Sequence, residues 1–66
     1  MRIDVHKVRI MLATKSMKRK DLVGSGIPLG TVNGAMNGNN IGRLTAERFA
    51  RALDCDVEEI TIKGAM

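Results

Sequence analysis

The stretch SGIPLGTVNGAMNGNN, residues 25–40, places a glycine at every fourth position: Gly26, Gly30, Gly34 and Gly38. Gly42 continues the series, and Asn33, Asn37, Asn39 and Asn40 fill the gaps. A flexible loop, a phosphate-cradling loop and a helix with one face stripped bare all fit such a pattern. Pro28 suits the first position of a helix, where its missing N–H costs nothing. Val32, Ala35 and Met36 then recur at the i, i+3, i+4 spacing of a buried helical face. Gly38, preceded by Asn37, suits a left-handed stop. Residues 28–37 therefore read as a helix. Gly30 and Gly34 inside it each cost about 1 kcal/mol against alanine, and they lie opposite Val32 and Met36, so the spacing predicts a face that something approaches closely. A phosphate loop needs a Gly-Lys-Ser/Thr triplet within a βαβ unit, and neither is found here. A GxxxG membrane-helix pair needs a long apolar segment, which is missing.

The same periodicity extends outward. Asp4 can cap a first helix over residues 5–15, with Val5, Val8 and Leu12 inward and Lys7 and Arg9 on a solvated face. Met17 reads as a pin between helices. A second helix spans residues 18–25, with Leu22 and Val23 inward and Gly24 and Gly26 favouring a turn at its end. Lys18, Arg19 and Lys20 open it, although cations are unfavourable at a helix N-terminus. A bound phosphate would relieve that conflict, and three solvated side chains beside Asp21 are the alternative. A fourth helix over 45–54, capped by Thr45, carries Phe49, Ala50 and Leu53 inward. DVEE reads as a capping box from Asp56 to Glu59 that opens a fifth helix over 57–60. Residues 61–66 form a tail in which Thr61 and Ile62 favour extended backbone.

The totals narrow the function. The 66 residues allow one domain at most, 1–66. Eleven Lys and Arg against seven Asp and Glu give a net charge of +4, which favours a polyanionic partner. Phe49 is the only aromatic residue, which argues against single-strand and RNA binders that stack bases on aromatic platforms. Duplex DNA read by helices needs no such platform. Cys55 and His6 are the only cysteine and histidine, so no metal cluster, internal disulfide or catalytic constellation is expected, and no cofactor. The lone cysteine and the lack of a signal-like N-terminus suggest a reducing cytoplasm, and no apolar run is long enough to span a membrane. Cys55 reads as core filler or as a redox switch, and His6 as a surface residue or a phosphate contact.

KVRIMLATKSMKRKDL, GIPLGTVNGAMNG and RFARALDCDVEEI, in that order and spacing, resemble the XRE or Cro/repressor-type helix-turn-helix family of phage repressors and bacterial regulators. The resemblance covers about residues 3–60. It implies an all-α fold, a lambda-repressor-like bundle of five short helices, and a role as a sequence-specific double-stranded DNA-binding regulator. Leu22 to Thr31 is one residue shorter than is usual in that family. Lys18 stands where a capping Ser, Thr or Asn is common. Leu12 and Met36 occupy positions at which many members pair an arginine with a glutamate, and the two are expected to meet in the core.

On this resemblance the third helix enters the major groove and the second crosses the phosphates. Leu29, Gly30, Thr31, Asn33 and Gly34 are then the base-contacting set, with Leu29 suited to a thymine methyl and Asn33 to a bidentate pair with adenine. Lys18, Arg19, Asn37, Asn39 and Arg43 are the phosphate set. Binding as a homodimer to two half-sites of an operator is expected, because one such helix reads only a few base pairs. The small apolar contact positions keep a second reading open. On it the same fold serves as a protein-interaction module, such as an antitoxin, antirepressor or co-regulator.

Overall fold

Helices of four to ten residues are marginal in water on their own, so their ends and buried faces decide whether they form. In the computed structural model, which describes residues 1–62, the chain runs β1 (Arg2–Ile3), α1 (Val5–Thr14), α2 (Arg19–Gly24), α3 (Leu29–Met36), α4 (Arg43–Ala52), α5 (Val57–Ile60) and β2 (Thr61–Ile62). The all-helical expectation holds, with a ribbon of two short strands added. Asp4 caps α1 as expected, its Oδ1 accepting from the Lys7 N–H at 3.2 Å.

The first four helices all end in the same way. After α2, the Gly26 N–H donates to the Val23 carbonyl at 3.0 Å and the Ile27 N–H to the Leu22 carbonyl at 3.4 Å. After α3, Gly38 donates to Ala35 at 3.0 Å and Asn39 to Gly34 at 3.1 Å. The Ser16 and Met17 N–H groups close α1 on Ala13 and Leu12, and those of Asp54 and Cys55 close α4 on Arg51 and Ala50. Each is the paired bond of a Schellman stop, which requires a left-handed residue just past the helix. Gly26 and Gly38 adopt φ of 101° and 89° without strain, whereas Ser16 and Asp54 hold φ of 56° against their own Cβ atoms.

Three of the four stops also bring the residue behind them against the core. Ile27 is fully buried, and Met17 and Cys55 pack against the core. That core joins Val8 and Leu12 of α1, Leu22 of α2, Val32, Ala35 and Met36 of α3, and Phe49, Ala50 and Leu53 of α4. Leu12 and Met36, which the resemblance places where many members pair an arginine with a glutamate, are both buried in this one cluster. Loss of such a pair is tolerable because a buried ion pair is often no more stable than an apolar replacement.

Several boundaries differ from the sequence expectation. Lys18 and Pro28 are the N-cap residues of α2 and α3 and lie outside the helices, while Lys15, Ser25 and Asn37 are C-caps. α4 begins at Arg43, behind an N-cap at Gly42, so Thr45 does not cap it. The cause is a long-range bond: the Ile41 N–H donates to the Met1 carbonyl at 2.7 Å, which pins the loop two residues before the helix starts. The Asp56–Glu59 capping box does not form, because Asp56 makes no side-chain cap bond and only its carbonyl accepts from the Glu59 N–H. Thr61 and Ile62 leave the expected tail to pair antiparallel with Ile3 and Arg2, which brings Ile3 into the core beside Ile60. The remainder of the tail, 63–66, lies outside the described residues.

Cys55 is half-buried behind the α4 stop. Burial pushes its thiol above the ordinary value, and the Glu59 and Asp56 carboxylates push the same way, against a smaller opposing pull from Lys15. The folded chain therefore holds the thiol proton more tightly than the unfolded chain does. The stability this contributes is complete below the unfolded value near 9.0 and is lost as pH rises through the folded one. Alkylation of native protein at pH 8 is expected to be slower than that of urea-unfolded protein, and equal rates would refute the protected thiol.

The stops make a second prediction. Ser16→Gly relieves a left-handed serine and should raise stability by up to about 1 kcal/mol, while Gly26→Ala should lower it by about 1 kcal/mol or more. Urea midpoints measure both, and a loss in the two variants alike would deny the left-handed stop its role at Ser16.

Candidate nucleic-acid interface

The α2–turn–α3 unit follows from two neighbouring residues. Gly26 turns the chain and sends Ile27 inward, and Pro28, in extended backbone at φ −56° and ψ 143°, sets the direction in which α3 leaves. α3 buries Val32, Ala35 and Met36, and so turns its other side outward. None of the five residues expected to meet bases is buried. Leu29 is 56% exposed, Gly30 is exposed, and Thr31, Asn33 and Gly34 are half-exposed.

The two helical glycines are not required by packing. A Cβ added at Gly30 would meet open space, and one at Gly34 would meet only the Asn39 side-chain nitrogen at 3.4 Å. No neighbouring helix demands glycine at either place. The bared face is therefore open to a partner, as the opening spacing predicts.

Beside this face stands the N-terminus of α2. Lys18, Arg19 and Lys20 are all exposed. Asp21 answers part of the charge conflict there, since its Oδ2 accepts from the Lys18 N–H at 2.7 Å. A carboxylate in the first turn favours the helix dipole, and Asp21 satisfies the Lys18 N–H, although Lys18 itself makes no side-chain cap bond. Across the turn, Arg19 Nη1 donates to Asn33 Oδ1 at 3.0 Å. One residue of the expected phosphate set thus touches one of the expected base set.

The far edge is the start of α4. Arg43 Nε lies 3.7 Å from Glu47 Oε2, with both side chains largely exposed. Such a pair holds by about 0–1 kcal/mol, so Arg43 remains available to a stronger anion. Asn39 folds back over the end of α3, and Asn37 is exposed at its C-cap. Sequence reasoning missed Asn40 and Thr45, which line a cleft of about 300 Å³ with Thr31, Gly34 and Asn39. Asn40 was legible as the continuation of Asn39, whereas Thr45 was hidden by its assignment as a cap. Leu44, 63% exposed on the first turn of α4, had no sequence signal. A larger cleft of about 450 Å³, lined by Ser25, Gly26, Arg48, Arg51 and Ala52, shares none of the ten expected contact residues.

Charge is divided along the chain. Residues 1–53 hold ten of the eleven basic side chains but three of the seven acidic ones. Asp54, Asp56, Glu58 and Glu59 are all exposed around the α4–α5 corner, away in sequence from the helix-turn-helix. The part of the chain that carries the bared helix is thus more basic than the total suggests, which suits a phosphate backbone.

Among the described residues no three His, Cys, Asp or Glu side chains gather as a metal site, and no helix is long and apolar enough to cross a membrane. Searches of the curated proteins and of the solved structures returned no match. The sequence profile of the Cro/C1-type HTH DNA-binding domain matches residues 7–62, from α1 through β2 and across the whole bared interface. The chain belongs to the Cro/C1-type helix-turn-helix DNA-binding family.

Proposed function

We propose that this protein is a sequence-specific, double-stranded DNA-binding regulator that acts as a homodimer, with α3 in the major groove of each half-site. The observation that carries the proposal is the outward face of α3, where two glycines with no packing role lie between exposed cations at the starts of α2 and α4. Leu29, Gly30, Thr31, Asn33 and Gly34 meet the base edges, and the glycines let the backbone come within reach of them. Lys18, Arg19, Asn37, Asn39 and Arg43 meet phosphates and set the register.

Mobility-shift titrations against genomic fragments at several salt concentrations test this. Three cations on phosphates correspond to a log–log salt slope of roughly −3 per bound copy. Selected fragments bound with a slope of that order support the proposal. Absence of duplex binding at low salt would transfer the fold to the protein-interaction role. Arg43→Ala should weaken binding to all duplexes alike and lower the slope by about one unit. A change in sequence preference with the slope intact would remove Arg43 from the phosphate set.

The glycines offer a separate check. Gly30→Ala and Gly34→Ala each add a Cβ without meeting the core, so each should raise stability by up to about 1 kcal/mol through helix propensity. Both should weaken DNA binding. Stability gained with affinity unchanged would show that the bared face is not a recognition surface.

A further inference from the structure

The bond between Arg19 and Asn33 fixes an orientation that the sequence leaves open. A guanidinium carries donors only, so the amide of Asn33 must turn its oxygen towards Arg19 and its NH2 away. The 3.0 Å contact is the side-chain to side-chain hydrogen bond that joins α2 to α3 among the described residues. An asparagine pairs with adenine through both ends of its amide: the oxygen accepts from N6, and the nitrogen donates to N7. Arg19 takes one of the two lone pairs of that oxygen and fixes the direction of the amide. With Oδ1 turned towards α2, the end of Asn33 that faces away from Arg19 is the NH2 group, with its two N–H donors. Guanine offers two acceptors on its major-groove edge, N7 and O6, whereas adenine offers N7 beside an amino group that meets the amide donor to donor.

We infer that Arg19 is a specificity-determining residue: by turning Oδ1 towards α2 it makes the NH2 group the end of Asn33 that meets the base, which favours guanine over adenine there. This rests on α3 being the recognition helix. Arg19 has five N–H donors, and the bond to Asn33 occupies one of them. The others remain for a phosphate on the same edge, so Arg19 links backbone contact to base choice. The bidentate adenine pair expected from the sequence for Asn33 gives way to a guanine contact, and Arg19 does more than neutralise charge.

Binding-site selection with wild type, Arg19→Ala, Asn33→Ala and the double variant tests this. Wild type is expected to enrich guanine at one position of each half-site. Asn33→Ala should abolish the preference there. Arg19→Ala should move it from guanine towards adenine by about tenfold, the scale of one bidentate contact, with other positions unchanged. In the Asn33→Ala background, removal of Arg19 should lower affinity without further change in the selected sequence. An Arg19→Ala site identical to that of wild type, bound uniformly more weakly, would overturn the inference and leave Arg19 a phosphate contact. An adenine selected by wild type through Asn33 would overturn it too. A measurement without DNA separates the inference from the function it rests on. The Asn33 side-chain NH2 should be ordered in wild type and rotationally averaged in Arg19→Ala by 15N relaxation. Equal order in the two proteins, with DNA binding intact, refutes the inference alone. Failure of wild type to enrich any sequence refutes the DNA-binding role and the inference with it.

Discussion

Everything in this fold depends on where its helices stop. None of the five is long enough to be stable on its own, and each of the first four is closed by the same pair of backbone bonds around a left-handed residue. That closure satisfies carbonyls that a buried helix end would otherwise leave unpaired. It also reverses the chain within two residues and, after α1, α2 and α4, brings the next side chain against the core, whereas Asn39 behind α3 stays exposed. Ile27, Met17 and Cys55 are the products of that geometry. A stop displaced by one residue would rotate the following segment and expose one of these side chains.

The strain-free stops lie on either side of α3. Gly26 precedes it and Gly38 follows it, while the strained Ser16 and Asp54 close α1 and α4. The helix with the weakest intrinsic propensity, which carries two interior glycines, is thus held at its two ends by the least costly turns. Its stability comes from the burial of Val32, Ala35 and Met36, not from its own sequence preference. This division of labour lets the opposite face remain bare. A helix with strong local propensity would carry larger side chains there, and its backbone would stand farther from any partner.

Charge and hydrogen bonding act on the same unit. Three cations at the start of α2 are unfavourable for its dipole, and Asp21 compensates for part of this through the Lys18 N–H. Arg19 is tied to Asn33 and is therefore less free than a solvated arginine. Four of the seven acidic side chains lie beyond residue 53, outside the segment that carries the helix-turn-helix. The basic total of the chain understates the character of the surface that carries the helix-turn-helix.

Sequence alone determined the helical class, the inward faces and two of the four stops. Those features rest on local rules: spacing at 3.6 residues per turn, and glycine where the backbone turns left-handed. Asp4, Gly26, Gly38, Val32, Ala35, Met36 and Phe49 were all legible in this way, as was the outward direction of Gly30 and Gly34. The stops at Ser16 and Asp54 were not legible, because no composition signal marks a left-handed serine or aspartate. The start of α4 was misread at Thr45, since the loop before it is set by a bond from Ile41 to Met1, forty residues away. The pairing of β1 with β2 joins the two ends of the described chain and has no local signature in segments of two residues. The Arg19–Asn33 bond likewise exists only after the turn brings α2 against α3. Periodicity fixes which face of a helix is buried, because that depends on the helix alone. Contacts between distant segments depend on how the helices pack, and so only the tertiary structure decided them.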